Sequence, residues 1–215
     1  MDLELAIKNR RAIRKYNDVL VSEQEINKII EAGTWAPSAC NIQGWHFIVL
    51  NKDDLVNIIK KGGGATFLKN INQAILVIYD RTSDNTEYMD YIQSGAACIE
   101  NMLLMAYSMN IGTCWVNNLP SKRELRKMLN IPWYYDPIGL VTIGKYEQKI
   151  NERKRKYDLN DLISYGKYDG LNKHGPNRGF IKMYIRRLMR NIYYKMPFKT
   201  TLIKLFGQLE KKFDN

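Results

Sequence analysis

The chain has 215 residues and a mass of 25.2 kDa, which suits one globular domain with an appended segment. Apolar residues make up 45% of the chain and charged residues 26%, so it can bury a core, and an intrinsically disordered chain is excluded. Nearly all of the net charge of +11 lies in residues 166–215, which contain 12 Lys and Arg against three Asp and Glu. Binding of an anionic partner through excess positive charge therefore concerns this tail alone.

Cysteine spacing and hydropathy together predict the cellular compartment of the protein. Cys40, Cys98 and Cys114 lack CxxC spacing, so neither a disulfide framework nor a zinc or iron–sulfur site is indicated, and we expect no metal. The acidic residues 1–4 do not resemble a signal peptide, and no apolar run approaches the roughly 20 residues of a membrane span. We therefore expect a cytoplasmic protein.

The first half of the chain predicts three helices and two strands. Ser22 and Glu25 have the spacing of a capping box at the start of the second helix, and Pro37 ends that helix. The run 45–50 is apolar and is predicted as a buried strand, and 73–80 is the strongest strand pattern of the chain. The predicted helices cover residues 2–8, 22–36 and 53–61.

The second half continues the alternation of helices and strands. Residues 88–109 are apolar nearly all round, which predicts a buried central helix. Strands are predicted at 112–116 and 138–143, with a capped helix at 121–129 between them. The pattern indicates an α+β or α/β layer around one sheet, with a domain over residues 1–165 and an extension over residues 166–215.

Arg10, Arg11 and Arg14 form the first candidate site. Guanidinium groups bind phosphate through paired hydrogen bonds, and a second basic cluster at residues 153–156 could converge on the same anion. A solvated basic surface is the alternative interpretation of the first cluster. Two clusters that flank one core strengthen the case for a phosphate site, but spacing alone does not decide between the two interpretations.

A small polar loop, residues 37–43, lies between the second helix and the first strand. Ser38 and Asn41 could bond a polyol, and Gln43 could fix the loop or face the edge of a ring. The alternative is an ordinary helix-to-strand turn, in which Ser and Asn bond their own backbone.

The end of the strand at residues 112–116 is a third candidate, because backbone groups at strand ends commonly line ligand sites. Cys114 could be a nucleophile only with His46 or His174 as its base. His46 lies inside an apolar strand, where a core histidine is the simpler interpretation. A catalytic cysteine is therefore disfavoured.

The tail has the pattern of a basic amphipathic helix. In residues 181–192 the apolar side chains fall on one helical face and four cations on the other, and a second such stretch follows Pro197. Such a helix can lie on an anionic membrane surface, here through residues 180–213, or pack on a partner subunit. Nucleic acid is disfavoured because no binding module is present.

Four segments in order resemble the nitroreductase family over about residues 3–165. They are RRAIRKY, WAPSACNIQGWHF, SGAACIENMLLMAYSMNIGTCWV and IGKYEQKINERKRK. The resemblance implies an α+β fold with a central mixed or antiparallel sheet flanked by helices. It also implies an intertwined homodimer with noncovalent FMN at the subunit interface.

The resemblance also implies roles for the arginines. Arg10, Arg11, Arg153 and Arg155 match residues that hold the FMN phosphate. Arg14 matches the basic residue near the N1/O2 pole of the flavin ring, where a cation stabilises the negative charge that develops on reduction.

Two loops complete the implied cofactor site, and the chain departs from the family pattern at two places. Residues matching those that touch the flavin are Pro37, Ser38, Ala39, Asn41, Trp115, Val116, Asn117 and Asn118. Ala12 stands at a cofactor-binding position where the family usually has Ser. Asn117 and Asn118 replace a Gly-rich pair near the flavin N5.

The implied function is an FMN-dependent oxidoreductase. Hydride passes from NAD(P)H to the flavin N5 and then, by a ping-pong mechanism, to a quinone, nitroaromatic or other small conjugated acceptor. No catalytic side chain is expected, because the cofactor carries the chemistry and Arg14 acts electrostatically. Alternatives are another reaction on the same fold (flavin fragmentation, dehalogenation or ring oxidation) and a flavin-binding membrane-surface module that works through its tail.

Overall fold

The computed structural model describes residues 2–82, 85, 87–147, 154–168, 184, 185 and 188. Of these, residues 2–147 belong to one compact unit, and the later ones to a second. Within the described residues, no helix is both long and apolar enough to cross a membrane.

Among the described residues of the first unit, five α-helices surround the sheet, and local capping signals explain the starts of most of them. The capping box predicted at Ser22 and Glu25 is present, and similar boxes begin the third and fifth helices at Asn51 and Ser121. The helices are α1 (Leu3–Asn9), α2 (Glu23–Thr34), α3 (Lys52–Gly62), α4 (Asp90–Ser108) and α5 (Lys122–Met128).

Four strands form one antiparallel sheet in the order β1-β2-β4-β3. They are β1 (Trp45–Asn51), β2 (Gln73–Asp80), β3 (Gly112–Val116) and β4 (Tyr135–Gly144). The predicted strands are therefore confirmed, although β4 begins three residues earlier than expected. β1 and β3 are the two edges of the sheet.

Both faces of the sheet are buried. On β2, Leu76 and Ile78 pack with a core that includes residues of α3 and α5, whereas Ile75 and Val77 pack with residues of α2 and α4. This alternation explains why β2 is apolar throughout. The arrangement confirms the predicted α+β class.

Burial differs from the prediction at two elements. In β1 only Leu50 is buried, and Val49 is 49% exposed. The reason is that this strand lies at the edge of the sheet. The prediction of a buried β1 was therefore wrong. Helix α4 is buried on one side only: Ala97 and Leu104 are half-buried and Met105 is 36% exposed. A single chain thus leaves part of its apolar surface uncovered.

In the second unit, residues 154–168 contain a short 3₁₀ helix, Leu159–Leu162. Leu159, Leu162 and Tyr165 are 61–91% exposed. Tyr184, Ile185 and Leu188 are helical, and the other residues of the predicted tail helix lie outside the described residues. The predicted domain boundary at residue 165 stays a prediction.

Candidate functional site

The arginine-rich segment is attached to the β3 edge of the sheet. Ile13 donates its backbone N–H to the carbonyl of Thr113 at 2.8 Å, and Ala12 forms a parallel bridge with the same residue. This short parallel pairing covers part of an otherwise open strand edge. It fixes the backbone from which Arg10, Arg11 and Arg14 project.

The same segment is also fixed to β4. The Tyr16 hydroxyl donates to the carbonyl of Ile13 at 2.7 Å and lies 2.8 Å from Oγ1 of Thr142. Asn17 then donates its backbone N–H to the carbonyl of Lys145 at 2.9 Å. The segment is thus held by two strands.

Arg10 and Arg11 have unused hydrogen-bonding capacity. The Nε atoms of both are buried and make no hydrogen bond within the described residues. Arg10 Nε lies 3.4 Å from Oε1 of Glu100, and Arg11 Nη1 donates to the carbonyls of Lys8 and Arg10. Both side chains are half-buried, and Nε donors without hydrogen bonds suit an anion such as a phosphate.

Arg14 lies beside Cys114. Arg14 is exposed, whereas Cys114 is 3% exposed. Burial raises the pKa of Cys114, and the charges of Arg14 and Arg10 offset that rise only in part. His46 is exposed on β1, at the opposite edge of the sheet, so the expectation of a core histidine was wrong. The two residues therefore do not form a nucleophile–base pair in this chain.

The loop before β1 has an uncommon backbone. Cys40, Asn41 and Gln43 have φ values of 48°, 54° and 52°, a conformation that side chains other than Gly rarely adopt. The Ser38 hydroxyl accepts from the Gln43 N–H at 3.1 Å, and the Gln43 side chain donates to Asn41 Oδ1 at 2.8 Å. These bonds are the local ones expected of an ordinary turn, but three such residues in four store strain that is typical of functional loops.

Helix α4 supports this loop. Ala39 donates its backbone N–H to Oγ of Ser94 at 3.1 Å, and Ser94 in turn donates to the carbonyl of Asp90. Pro37 and Asn41 are exposed, whereas Ser38 and Ala39 are half-buried. Sequence reasoning missed Ser94, although a serine within an apolar helix signals a buried polar contact.

Residues 115–118 follow the β3 edge. Trp115 donates its indole N–H to Oδ1 of Asn117 at 3.2 Å, and the carbonyl of Asn118 accepts from the Ala65 N–H at 2.9 Å. Val116 is buried, while Asn117 and Asn118 are exposed. Both asparagines therefore lie at the surface at this strand end.

The structure brings some of the predicted site residues together. The arginine segment and residues 115–118 share the β3 edge, whereas the loop 37–43 leads into β1 at the other edge. Three strand spacings of about 4.8 Å separate these edges. Arg155 is exposed in the second unit and Arg153 lies outside the described residues, so their convergence with Arg10 stays a prediction. The described residues contain no cluster of three or more His, Cys, Asp or Glu side chains that could hold a metal.

Comparison with known proteins agrees with this architecture. The chain is 35% identical over 144 residues to a candidate NADH dehydrogenase/NAD(P)H nitroreductase of Archaeoglobus fulgidus, covering 64% of this chain and 82% of the relative. A crystal structure of a protein of the same description from Parabacteroides distasonis has a TM-score of 0.68 at 29% identity, covering 77% and 98%. A candidate nitroreductase of Desulfovibrio desulfuricans, crystallised with FMN, has a TM-score of 0.63 at 27% identity, covering 77% and 97%.

A model of the Nitroreductase family matches residues 7–61 and 59–145, which include the arginine segment, the loop before β1 and the β3 edge. This match spans more than half of the chain, and both structural neighbours share its fold. The chain therefore belongs to the nitroreductase family.

Proposed function

We propose that the protein is an FMN-dependent NAD(P)H oxidoreductase that reduces a small conjugated acceptor, such as a quinone or a nitroaromatic. The observation that carries the proposal is the pair of buried Nε atoms of Arg10 and Arg11, which lack hydrogen bonds in the described residues. Family membership and the FMN complex of the D. desulfuricans relative support the same assignment.

The residues present fit FMN. Arg10 and Arg11 would hold its phosphate, with Arg153 and Arg155 as further candidates, and Arg14 would face the ring. When bound, FMN would supply the redox chemistry that links oxidation of NAD(P)H to reduction of the acceptor.

This chain's own contribution is binding and electrostatics. A guanidinium fixed at the β3 edge would stabilise negative charge that develops nearby, without reorganising during the reaction. The loop residues Pro37, Ser38, Ala39 and Asn41 would contact the flavin, and the strand end at Trp115, Val116, Asn117 and Asn118 would border the acceptor. Ala12, where the family usually has Ser, offers no side-chain hydrogen bond.

A homodimer is part of this proposal. The arginine segment and the loop 37–43 lie at opposite edges of one sheet, so one complete site would draw on two chains. Uncovered apolar surface supports this view: Leu3, Leu5 and Ile7 of α1 are 53–66% exposed, and α4 leaves one apolar side partly open. Analytical ultracentrifugation of the full chain would give the mass of a dimer, and a purely monomeric protein would contradict the proposal.

The first experiment is a visible absorption spectrum of the protein after FMN addition and desalting, followed by anaerobic NADPH or NADH. We expect a retained flavin spectrum that bleaches with at least one nucleotide. The variant Arg11→Ala should retain less FMN, whereas Arg123→Ala, an exposed arginine on α5, should retain as much as the wild type. Absence of retained flavin in the wild type would overturn the assignment.

Turnover with different electron acceptors distinguishes the proposed reaction from the other reactions that occur on this fold. Steady NAD(P)H consumption with a quinone or nitroaromatic supports the proposed reaction. A flavin that is bound and reduced but not reoxidised by either class would favour flavin fragmentation, dehalogenation or ring oxidation.

A second proposed role, membrane-surface binding, concerns the tail. Tyr184, Ile185 and Leu188 are 48–61% exposed, and the surrounding sequence is strongly basic. We expect the full chain to bind vesicles that contain anionic lipid, less tightly at high salt. The double variant Ile185→Glu/Leu188→Glu should lose this binding and keep its FMN. Loss of the dimer or of FMN in that variant would instead assign the tail to a subunit interface.

A further inference from the structure

Tyr16 connects the arginine segment to the interior of the sheet. Its hydroxyl lies 2.7 Å from the carbonyl oxygen of Ile13, 2.8 Å from Oγ1 of Thr142 and 3.3 Å from the carbonyl oxygen of Thr142. Thr142 is fully buried, and its Oγ1 also lies 3.4 Å from the carbonyl oxygen of Cys114. The hydroxyl is protonated at neutral pH and can donate, as any tyrosine can, and burial raises its pKa further.

The ring of Tyr16 is fixed as firmly as its hydroxyl. It packs on Gly144 of β4, where an added Cβ would lie 2.5 Å from the ring Cγ. No side chain larger than hydrogen fits between them without a shift of the ring or the strand. The aromatic ring and its hydroxyl therefore have one position relative to β4.

In the chain, Arg14 lies between Ile13 and Tyr16, two residues that hydrogen bonds join to the sheet. On one side, Ile13 donates its N–H to the carbonyl of Thr113 on β3 and accepts from the Tyr16 hydroxyl. On the other side, Tyr16 itself is bonded to Thr142 on β4. The charge of Arg14 also offsets part of the rise that burial causes in the pKa of Cys114, the residue that follows Thr113. The backbone that carries Arg14 is thus held on both sides.

We propose that Tyr16 is a positioning residue that acts through Arg14. The bridge from the Ile13 carbonyl through the Tyr16 hydroxyl to Thr142 fixes the span that carries Arg14 and holds its cation towards the flavin ring. This role rests on the proposed FMN-dependent function. A tyrosine here thus does more than a phenylalanine of the same shape would do.

The test compares Tyr16→Phe, Arg14→Ala and the double variant in the full-length protein. Tyr16→Phe keeps the ring on Gly144 and removes only the hydroxyl. The Kd for FMN should rise by up to about fivefold, because the span that carries Arg14 is then less well ordered before FMN binds. The midpoint potential of the bound flavin should become more negative, because a displaced cation stabilises the reduced form less. In the Arg14→Ala background, Tyr16→Phe should leave the potential unchanged.

Thr142 gives a matched pair of controls. Thr142→Ser keeps the hydroxyl partner of Tyr16 and should retain the wild-type potential. Thr142→Val removes that partner and should shift the potential in the same direction as Tyr16→Phe but by less, because the bond from Tyr16 to the Ile13 carbonyl remains. An equal shift from Tyr16→Phe with and without Arg14, or none with Arg14 present, would overturn the positioning role. Failure of the wild type to bind FMN would overturn the proposed function instead, and the two failures are therefore distinguishable.

Discussion

Lys122 Nζ lies 2.6 Å from Oδ2 of Asp136, a residue that is 4% exposed at the start of β4. Arg126 is bonded to Oδ1 of the same carboxylate, and Arg81 Nη1 lies 3.7 Å from it. The Tyr91 hydroxyl is 3.4 Å from Oδ2. One buried carboxylate thus joins α4, α5 and the end of β2 to β4.

The variant Asp136→Asn should destabilise the protein by about 2–3 kcal/mol, because it leaves three cations without their shared anion, although these cations partly reach solvent. Burial opposes ionisation, but hydrogen bonds and charges from Lys122 and Arg126 prevail and lower the pKa of Asp136. Its contribution is therefore present above its ordinary pKa and is lost as the pH falls below it. Urea unfolding at pH 7 should show the loss, and Asp18→Asn, an exposed control, should show less than about 0.5 kcal/mol.

The bond between Glu25 and Lys145 predicts a pH dependence of stability. Lys145 Nζ lies 2.5 Å from Oε1 of Glu25, and bonds from Lys145 and then from Ser22 lower the pKa of Glu25 from 4.5 to about 2. This stabilisation is complete above pH 4.5 and is lost as the pH falls to about 2. Glu25→Gln, which keeps a capping oxygen, should cost about 0.5–1 kcal/mol at neutral pH. Thermal unfolding of both proteins should converge near pH 2, and a constant difference would contradict the ion pair.

The two sets of contacts that Glu25 makes illustrate what the sequence could and could not predict. The capping box of Glu25 with Ser22 is local, so residue spacing alone predicts it. The pairing with Lys145 joins residues 120 positions apart, and no local pattern indicates it. The burial of β1 was overestimated for the same reason, because an apolar run does not tell whether a strand lies at the edge or in the centre of a sheet.

The three cysteines should differ sharply in reactivity. Cys40 is exposed, whereas Cys98 and Cys114 are buried, and burial raises the pKa of Cys98 to about 12 and raises that of Cys114 as well. Iodoacetamide at pH 8 should therefore modify the native protein once, at Cys40, and three times after denaturation. Mass spectrometry of the peptides gives the sites. Rapid modification of Cys114 in the native state would show that the β3 edge opens.

Restoring the usual family residue at position 12 should improve cofactor binding. Ala12 is exposed and its backbone is fixed by the bridge to Thr113, so Ala12→Ser adds a hydroxyl without disturbing the fold. One added hydrogen bond of about 1 kcal/mol corresponds to an FMN Kd about fivefold lower. Fluorescence titration measures this change. The variant Lys15→Ser, at another exposed position, serves as the control and should leave the Kd for FMN unchanged.

The sequence indicated candidate residues whose own chemistry suits a ligand. It did not indicate residues that only hold those candidates in place. Arg10 and Arg11 stood out because clustered guanidiniums suit phosphate. Ser94 and Thr142 did not, since their roles depend on residues more than 50 positions away in the chain, at Ala39 and Tyr16. Such supporting contacts exist only once the helices and the sheet have packed.

The left-handed backbone of Cys40, Asn41 and Gln43 also limits how this loop can vary between homologues. Val, Ile and Thr would be rejected there during folding, because their branched side chains collide with a backbone of positive φ. Gly, Asn and Asp would be accepted whatever ligand the protein binds. Sequence variation in this loop therefore reports the shape of its backbone first, and the identity of a bound molecule only at the neighbouring positions.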